Sequence, residues 1–447
     1  MDVRTRLFLT DPPGPLLVRM ATPNSLAFMI QSFVSLGEVW IIGQLGTVSL
    51  AAIALSFPLL MLTQAMAGGA VGGAVTSSIA RALGRGDSEA ANRLIWHALA
   101  ICAGGSALFL LLFLAAGESL LRFLGGSGII LGQAASYCLI LFSGGLFLWL
   151  LGVTGAVFRG MGDMKTPAAL MVLGAFVQVP LTAVLVLGLL GAPRLGIAGA
   201  AVSAVATGFL VSTVMLFLLT RPGRIIRLER GALVFERRLF RDIFAVAAPA
   251  SLSPLLTILI ILSLTAMIAR FGEAALAGYG IGSRIEFLLI PLVFGIGAAM
   301  TSLVGLAIGA GDIARAERIG WTGGAMAAAL AGVVGALLTL FPDRFIGAFT
   351  QDPEAFAAAR SYVRIVGPFY AFQGLGLALY FASQGAGYMF WPVAATIARV
   401  ALALGGGWWL GFRLECGLDG IYIAAAAAMA IYGLMMAGSV KLGAWRE

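Results

Sequence analysis

Between Glu38 and Arg81 the sequence contains no charged residue. Apolar runs of this kind recur along the whole chain, and a helix needs only about 20 such residues to cross the hydrocarbon core of a bilayer. The 447 residues are 60% hydrophobic and only 11% charged, with a mean hydropathy of +1.01. A soluble fold of this size has too little interior to hide so much apolar surface. The runs also lack the period-two alternation of barrel strands. The sequence therefore predicts an all-α polytopic membrane protein. Its opening, "MDVRTRLFLTDPPGPLLVRM", has no apolar core followed by a small-residue cleavage site and reads as a short cytoplasmic lead. Cys102, Cys138 and Cys416 are odd in number and far apart, which supports neither a disulfide framework nor a zinc site. The net charge of +8 fits basic cytoplasmic loops better than a nucleic-acid partner.

Twelve spans are expected, at about 23–45, 48–80, 91–115, 130–157, 167–190, 195–220, 243–270, 274–306, 317–341, 354–384, 391–412 and 419–440. Several are longer than one crossing needs, so tilt or projection into solvent is expected. With both termini inside, 19 of the 28 basic residues fall in or beside inside segments and five in outside loops. That bias places both termini in the cytoplasm. One segment stands apart: "RPGRIIRLERGALVFERRLFRD" (221–242) is charged, central and broken by Pro and Gly. It reads as a basic linker between an N-lobe (1–220) and a C-lobe (243–447), its arginines meeting anionic headgroups at the inner surface.

The two halves repeat. At an offset of 225 residues, Thr76, Ser77, Gly84, Gly86, Asp87 and Arg93 fall on Thr301, Ser302, Gly309, Gly311, Asp312 and Arg318. In the same register Trp96 meets Trp321, Ser136-Tyr137 meets Ser361-Tyr362, and "GMGDMKTP" (160–167) meets "GAGYMFWP" (385–392). Six spans per half is an even number, so both halves share one in/out sense and form a parallel repeat. Transporters are often built this way, with the substrate taken between the halves. In the Gly-x-Gly-Asp loops, the glycines are expected to end long helices with positive φ. Asp87 and Asp312 are expected to cap the next helix, paired with Arg93 and Arg318. No lysine follows to bind a nucleotide.

These motifs resemble the MATE family, the multidrug and toxic compound extrusion transporters. They are "GEVWIIGQLGTVSLAA" in span one, "GRGDSEAANR" and "GAGDIARAER" after spans two and eight, "RGMGDMKTP" after span four and "PRLGIAGAAVSA" before span six. "RIEFLLIPLVFGIGAAMTSLVGLAIGAGD" is similar to the DinF-like branch. The resemblance implies twelve helices in two pseudo-symmetric six-helix lobes and cation-coupled export of amphipathic, often cationic compounds. The family usually carries Asp where this chain has Glu38. Some members add an Asp before a span-five proline with an Asn four residues earlier. Here Pro180 puts Val179 and Ala175 at those positions, with Gln178 the strong polar group nearby. Others use a tenth-helix carboxylate, where this chain offers Gln373. These departures stand against a strict two-aspartate mechanism and against a C-lobe sodium site.

Glu38 is the expected cation-coupling residue. Its equivalent in the second half is the uncharged Ser263. Asn24, Gln31, Ser35 and Glu38 lie three, four and seven residues apart and form one polar stripe on span one. An ionised Glu facing lipid is costly, so the stripe should face the interior. Gln178, Glu286, Gln373, Arg284, Arg364 and Arg399 complete the expected cavity set, Arg364 or Arg399 pairing with Glu286. His97 is expected as a satisfied or interfacial histidine, with a proton relay as its alternative. The expected function is a monomeric, multi-pass secondary antiporter of the cell (inner) membrane, without cofactor or metal. It takes small amphipathic or cationic substrates, and H+ is favoured over Na+ because span one offers a single acid. A flippase for a lipid-linked precursor is the alternative. A membrane enzyme would need a convergent catalytic set, which the scattered acids and single histidine do not supply.

Overall fold

The computed structural model describes the backbone of residues 3–287 and 289–446 and the side chains of residues 7–284 and 289–446. Among the described residues there are helices and no strand. After a short leading helix, Val3–Thr10, the first repeat contains α1 (Pro13–Gly43), α2 (Thr47–Gly84), α3 (Ser88–Phe123), α4 (Gly128–Ser143 with Gly145–Gly160), α5 (Lys165–Leu187) and α6 (Ile197–Thr220). The second contains α7 (Arg237–Ala269), α8 (Glu273–Phe287 with Leu289–Gly309), α9 (Ile313–Leu340), α10 (Pro353–Ala386), α11 (Phe390–Arg413) and α12 (Gly417–Lys441). Eleven of these are long and apolar enough to cross a membrane, and α4 makes twelve if its two segments, bent by 53°, are one span. Large apolar side chains such as Leu111, Phe176 and Leu340 point outward, as helices solvated by lipid require.

Two elements differ from the expected spans. α1 starts at Pro13 rather than near 23, because Leu16, Leu17, Met20 and Ala21 are buried and extend the apolar face. α4 is broken at Gly144, where consecutive glycines weaken the helix. Its counterpart α10 is interrupted at the matching place by a tighter turn, Gly367–Phe369, that contains Pro368.

The chain forms two compact units. One is Met1–Thr5 with Leu26–Ala247, the other Arg6–Ser25 with Ala248–Glu447. α1 therefore contributes its early turns to the second unit, where the Ser25 hydroxyl donates to Leu292 O at 3.3 Å. Each unit has the same internal plan. In the first, α4 packs against α2, α3 and α6, and α5 lies against α6. In the second, α10 packs against α8, α9 and α12, and α11 lies against α12.

The repeat extends to single bonds. Thr76 Oγ1 donates to Ala156 O at 3.0 Å, and Thr301 Oγ1 donates to Phe381 O at 2.9 Å. Donor and acceptor are both offset by 225 residues. The crossing beside this bond needs glycine. A Cβ on Gly160 would lie 2.9 Å from Ile79 Cβ, and one on Gly385 would lie 2.5 Å from Thr301 O. The loops match too: Gly86 (φ 77°) and Gly311 (φ 78°) turn left-handed. Asp87 then accepts from Ala90 N at 2.9 Å and Asp312 from Arg315 N at 2.9 Å. Arg93 does not pair with the capping Asp87. It reaches Glu89 one turn back and Glu236 of the linker, since the cap already occupies the Asp87 carboxylate. Among the described residues Arg318 has no carboxylate within ion-pairing distance either, so the expected Arg318–Asp312 pair is absent for the same reason.

The 221–242 segment is held on the first unit. Asp163 ion-pairs with Arg224 at 3.3 Å, and Arg81 with Asp242 at 2.9 Å. His97 is fully buried, its Nδ1 2.8 Å from Arg93 O and its Nε2 accepting from Glu236 N at 2.9 Å. Helix α7 begins at Arg237, ahead of the expected 243, because Leu239 and Ile243 already bury an apolar face there.

Asp87→Ala and Asp312→Ala each remove one helix cap, which costs about 1 kcal/mol. The two losses should be alike, because the loops are alike. Reversible unfolding in mixed micelles checks this, and a clear inequality between the two would contradict equivalent loops.

Candidate coupling site

Three helices of the first unit bring one polar cluster together. Glu38 comes from α1, Gln178 and Thr182 from successive turns of α5, and Ser203 from α6. Gln178 Nε2 donates to Glu38 Oε1 at 2.7 Å, and Thr182 Oγ1 approaches the same oxygen at 3.4 Å. Thr182 also donates to Ser203 Oγ at 2.9 Å, and Ser203 donates to Gln178 O at 3.0 Å. Thr182 and Ser203 are fully buried. Tyr137, buried on α4, lies within electrostatic range of Glu38.

This arrangement holds one carboxylate oxygen and leaves the other. Oε1 accepts from Gln178; the single Thr182 hydroxyl proton goes to Ser203, so Thr182 Oγ1 only borders that oxygen, and Oε2 has no hydrogen bond among the described residues. A proton on Oε2 leaves the Gln178 bond to Oε1 in place. The carboxyl can thus exist charged or neutral without that bond being rebuilt. Gln178 tethers the charged form, since a hydrogen bond to an ionised group is the stronger kind. Among the described residues no group of three or more His, Cys, Asp or Glu is placed to hold a metal ion.

The second repeat has no counterpart to this cluster. In the 225-residue register Glu38, Gln178 and Thr182 become Ser263, Ala403 and Gly407, and Ser203 falls in the alanine run 424–428 of α12. The scaffold is duplicated and the polar cluster is not.

Of the stripe expected on span one, only Glu38 joins the cluster. Asn24 is buried in the second unit, Gln31 is part-buried, and Ser35 is exposed with its hydroxyl on Gln31 O at 3.3 Å. In the second unit Gln373 is part-buried on α10, and its Oε1 has no partner among the described residues. Arg284 and Arg364 are exposed. Arg399 is part-buried, with its guanidinium carbon 5.5 Å from the centroid of the Tyr432 ring. The side chain of Glu286, and with it the expected pair to Arg364 or Arg399, lies outside the described residues. Thr182 and Ser203 escaped the sequence reading. Thr182 follows Gln178 by one helical turn, a spacing that signals a shared face. Ser203 has no such local signal.

Two repeats of six apolar helices, with the Glu38 carboxyl set inside one of them, define a polytopic helical protein of the transporter class. The MatE family model matches residues 23–184 and again residues 249–409. The chain belongs to the MATE family, whose members are multidrug efflux transporters and not enzymes. It is 28% identical over 381 residues to a FAD transporter of Shewanella oneidensis, covering 84% of this chain and 82% of that one. It is 24% identical over 387 residues to a probable multidrug resistance protein, NorM, of Thermotoga maritima, covering 86% and 82%. A solved outward-facing multidrug resistance MATE transporter superposes with a TM-score of 0.92 over 100% of both chains at 24% identity.

Replacing Gln178 with Leu strips Glu38 of its closest donor. Such bonds to charged groups contribute roughly 1.5–3 kcal/mol. Efflux of a fluorescent drug from expressing cells is expected to fall about tenfold or more. Ser203→Ala, which touches Glu38 only through Thr182 and Gln178, should cost less. Equal losses in the two variants would contradict this ranking.

Proposed function

We propose that the chain is a secondary antiporter of the cell membrane that exports amphipathic, often cationic compounds by alternating access, driven by inward proton flow through Glu38. The observation that carries this reading is the Glu38 carboxyl, tethered through Oε1 by Gln178, with no hydrogen bond to Oε2 among the described residues. A carboxyl inside an apolar span is costly unless it has a use. One that gains and loses a proton while keeping its tether can discharge to one side and recharge from the other. Its neutral form releases a cationic substrate and its charged form attracts one, so proton and substrate exclude each other at one oxygen. Proton is favoured over sodium because the cluster contains one carboxylate and its other members serve as donors. Both termini and the basic linker are assigned to the cytoplasmic side by the arginine bias. The similarity to a FAD transporter makes FAD a substrate to test beside cationic drugs.

The test is efflux from proteoliposomes under an imposed proton gradient and, separately, a sodium gradient. Wild type should respond to the proton gradient alone, with a cationic drug or FAD as cargo. Glu38→Gln, which keeps the shape and removes the titrating group, should lower gradient-driven efflux at least tenfold while the protein still binds drug. Undiminished coupled efflux in Glu38→Gln would refute the role of Glu38. Drive by sodium alone would refute the choice of ion.

A further inference from the structure

The linker exposes an apolar step on a fixed backbone. Leu233, Val234 and Phe235 are consecutive and 51%, 46% and 55% exposed. The chain is pinned on both sides of them to one face of α3. Upstream, Arg227 N–H donates to Asn92 Oδ1 at 2.8 Å, and Trp96 Nε1 donates to Glu229 O at 2.9 Å. Downstream, Glu236 N–H donates to His97 Nε2 at 2.9 Å, and the Glu236 side chain pairs with Arg93. Between the pins Arg230–Ala232 makes one tight turn with Ala232 buried. Leu233 and Val234 are therefore held outward by the fold, while the Phe235 ring, though half-exposed, packs edge-on against His97 at 5.4 Å and stacks on Phe240 at 5.8 Å between centroids.

The charge around this step is one-sided. The acids of the segment are each taken up: Glu229 by Arg227, Glu236 by Arg93, Asp242 by Arg81. Arg230, Arg237, Arg238 and Arg241 are exposed and have no carboxylate partner among the described residues. The segment also leaves and rejoins membrane helices. Phe217 near the end of α6 and Phe244 near the start of α7 are 57% and 48% exposed, as lipid-facing rings. Arg221 lies 5.0 Å over the Phe217 ring, where hydrocarbon-facing side chains give way to charge. Apolar side chains flanked by unpaired arginines at the edge of the hydrocarbon are the makings of an interfacial anchor.

We infer that residues 230–241 form a membrane-interface anchor for anionic phospholipid. Leu233 and Val234 enter the boundary between headgroups and acyl chains, and Arg230, Arg237, Arg238 and Arg241 gather lipid phosphates. Each basic residue near an anionic surface strengthens binding by roughly fivefold, so four together select anionic over zwitterionic headgroups strongly. This inference is independent of which compound the protein exports.

The test uses the full-length protein equilibrated with equal amounts of phosphatidylglycerol and phosphatidylcholine, with retained lipids counted by native mass spectrometry. Wild type should retain phosphatidylglycerol over phosphatidylcholine on the order of tenfold or more. Replacing the four arginines with Gln should remove that preference. Leu233→Ser with Val234→Ser should lower total retention while the melting temperature in detergent stays unchanged. Equal retention of the two lipids by wild type, or an unchanged preference in the Gln variant, would overturn the inference. So would displacement of the lipid by millimolar inorganic phosphate, which would mark a phosphate site instead.

Discussion

Hydrocarbon offers a backbone carbonyl or a side-chain hydroxyl nothing to bond to, and the fold answers that constraint throughout. Most hydroxyls in the spans turn back on the carbonyl one turn earlier, as Ser56 does on Ala52 O, Thr63 on Leu59 O and Thr265 on Ile261 O. A few reach across helices, and the same ones do so twice: Thr76 to Ala156 O and Thr301 to Phe381 O. These cross-helix bonds sit where Gly160 and Gly385 let backbones approach. Small residues and hydroxyls are the means by which membrane helices pack without a hydrophobic drive between them.

Against that background the Glu38 cluster is of another kind. Its members come from three helices and bond side chain to side chain, except that Ser203 closes on a backbone carbonyl, Gln178 O. Three polar side chains from α5 and α6 are gathered beside one carboxyl of α1, and Gln178 donates to one of its oxygens.

Much of the architecture was legible in the sequence, because bilayer thickness and the need for apolar length leave little freedom. The spans, the repeat and the two Gly-x-Gly-Asp caps could all be read from local pattern. What escaped depended on neighbours far along the chain. Asn24 shares a helix face with Glu38 on paper, yet α1 changes units at Ser25 and buries Asn24 in the other one. Arg93 was expected on Asp87, but Asp87 was already engaged and Glu236, far along the sequence, lay closer. Gln178 could be found from its proline, whereas Ser203 could not, since nothing local tells which serine of α6 faces α5. The break in α4 was written as Gly144-Gly145, a weaker signal than Pro368 in α10 and easily read as a continuous helix.

The duplication supplies an internal control for deciding what the polar cluster is for. Two units with the same helix contacts, caps and Thr-to-carbonyl bonds are two solutions to one packing problem. In one of them the positions of Glu38, Gln178 and Thr182 are filled by Ser263, Ala403 and Gly407, and the unit keeps the shared plan. Packing therefore does not require the cluster. A buried polar network that the fold can do without, and that is costly to place in lipid, has to be explained by what it does.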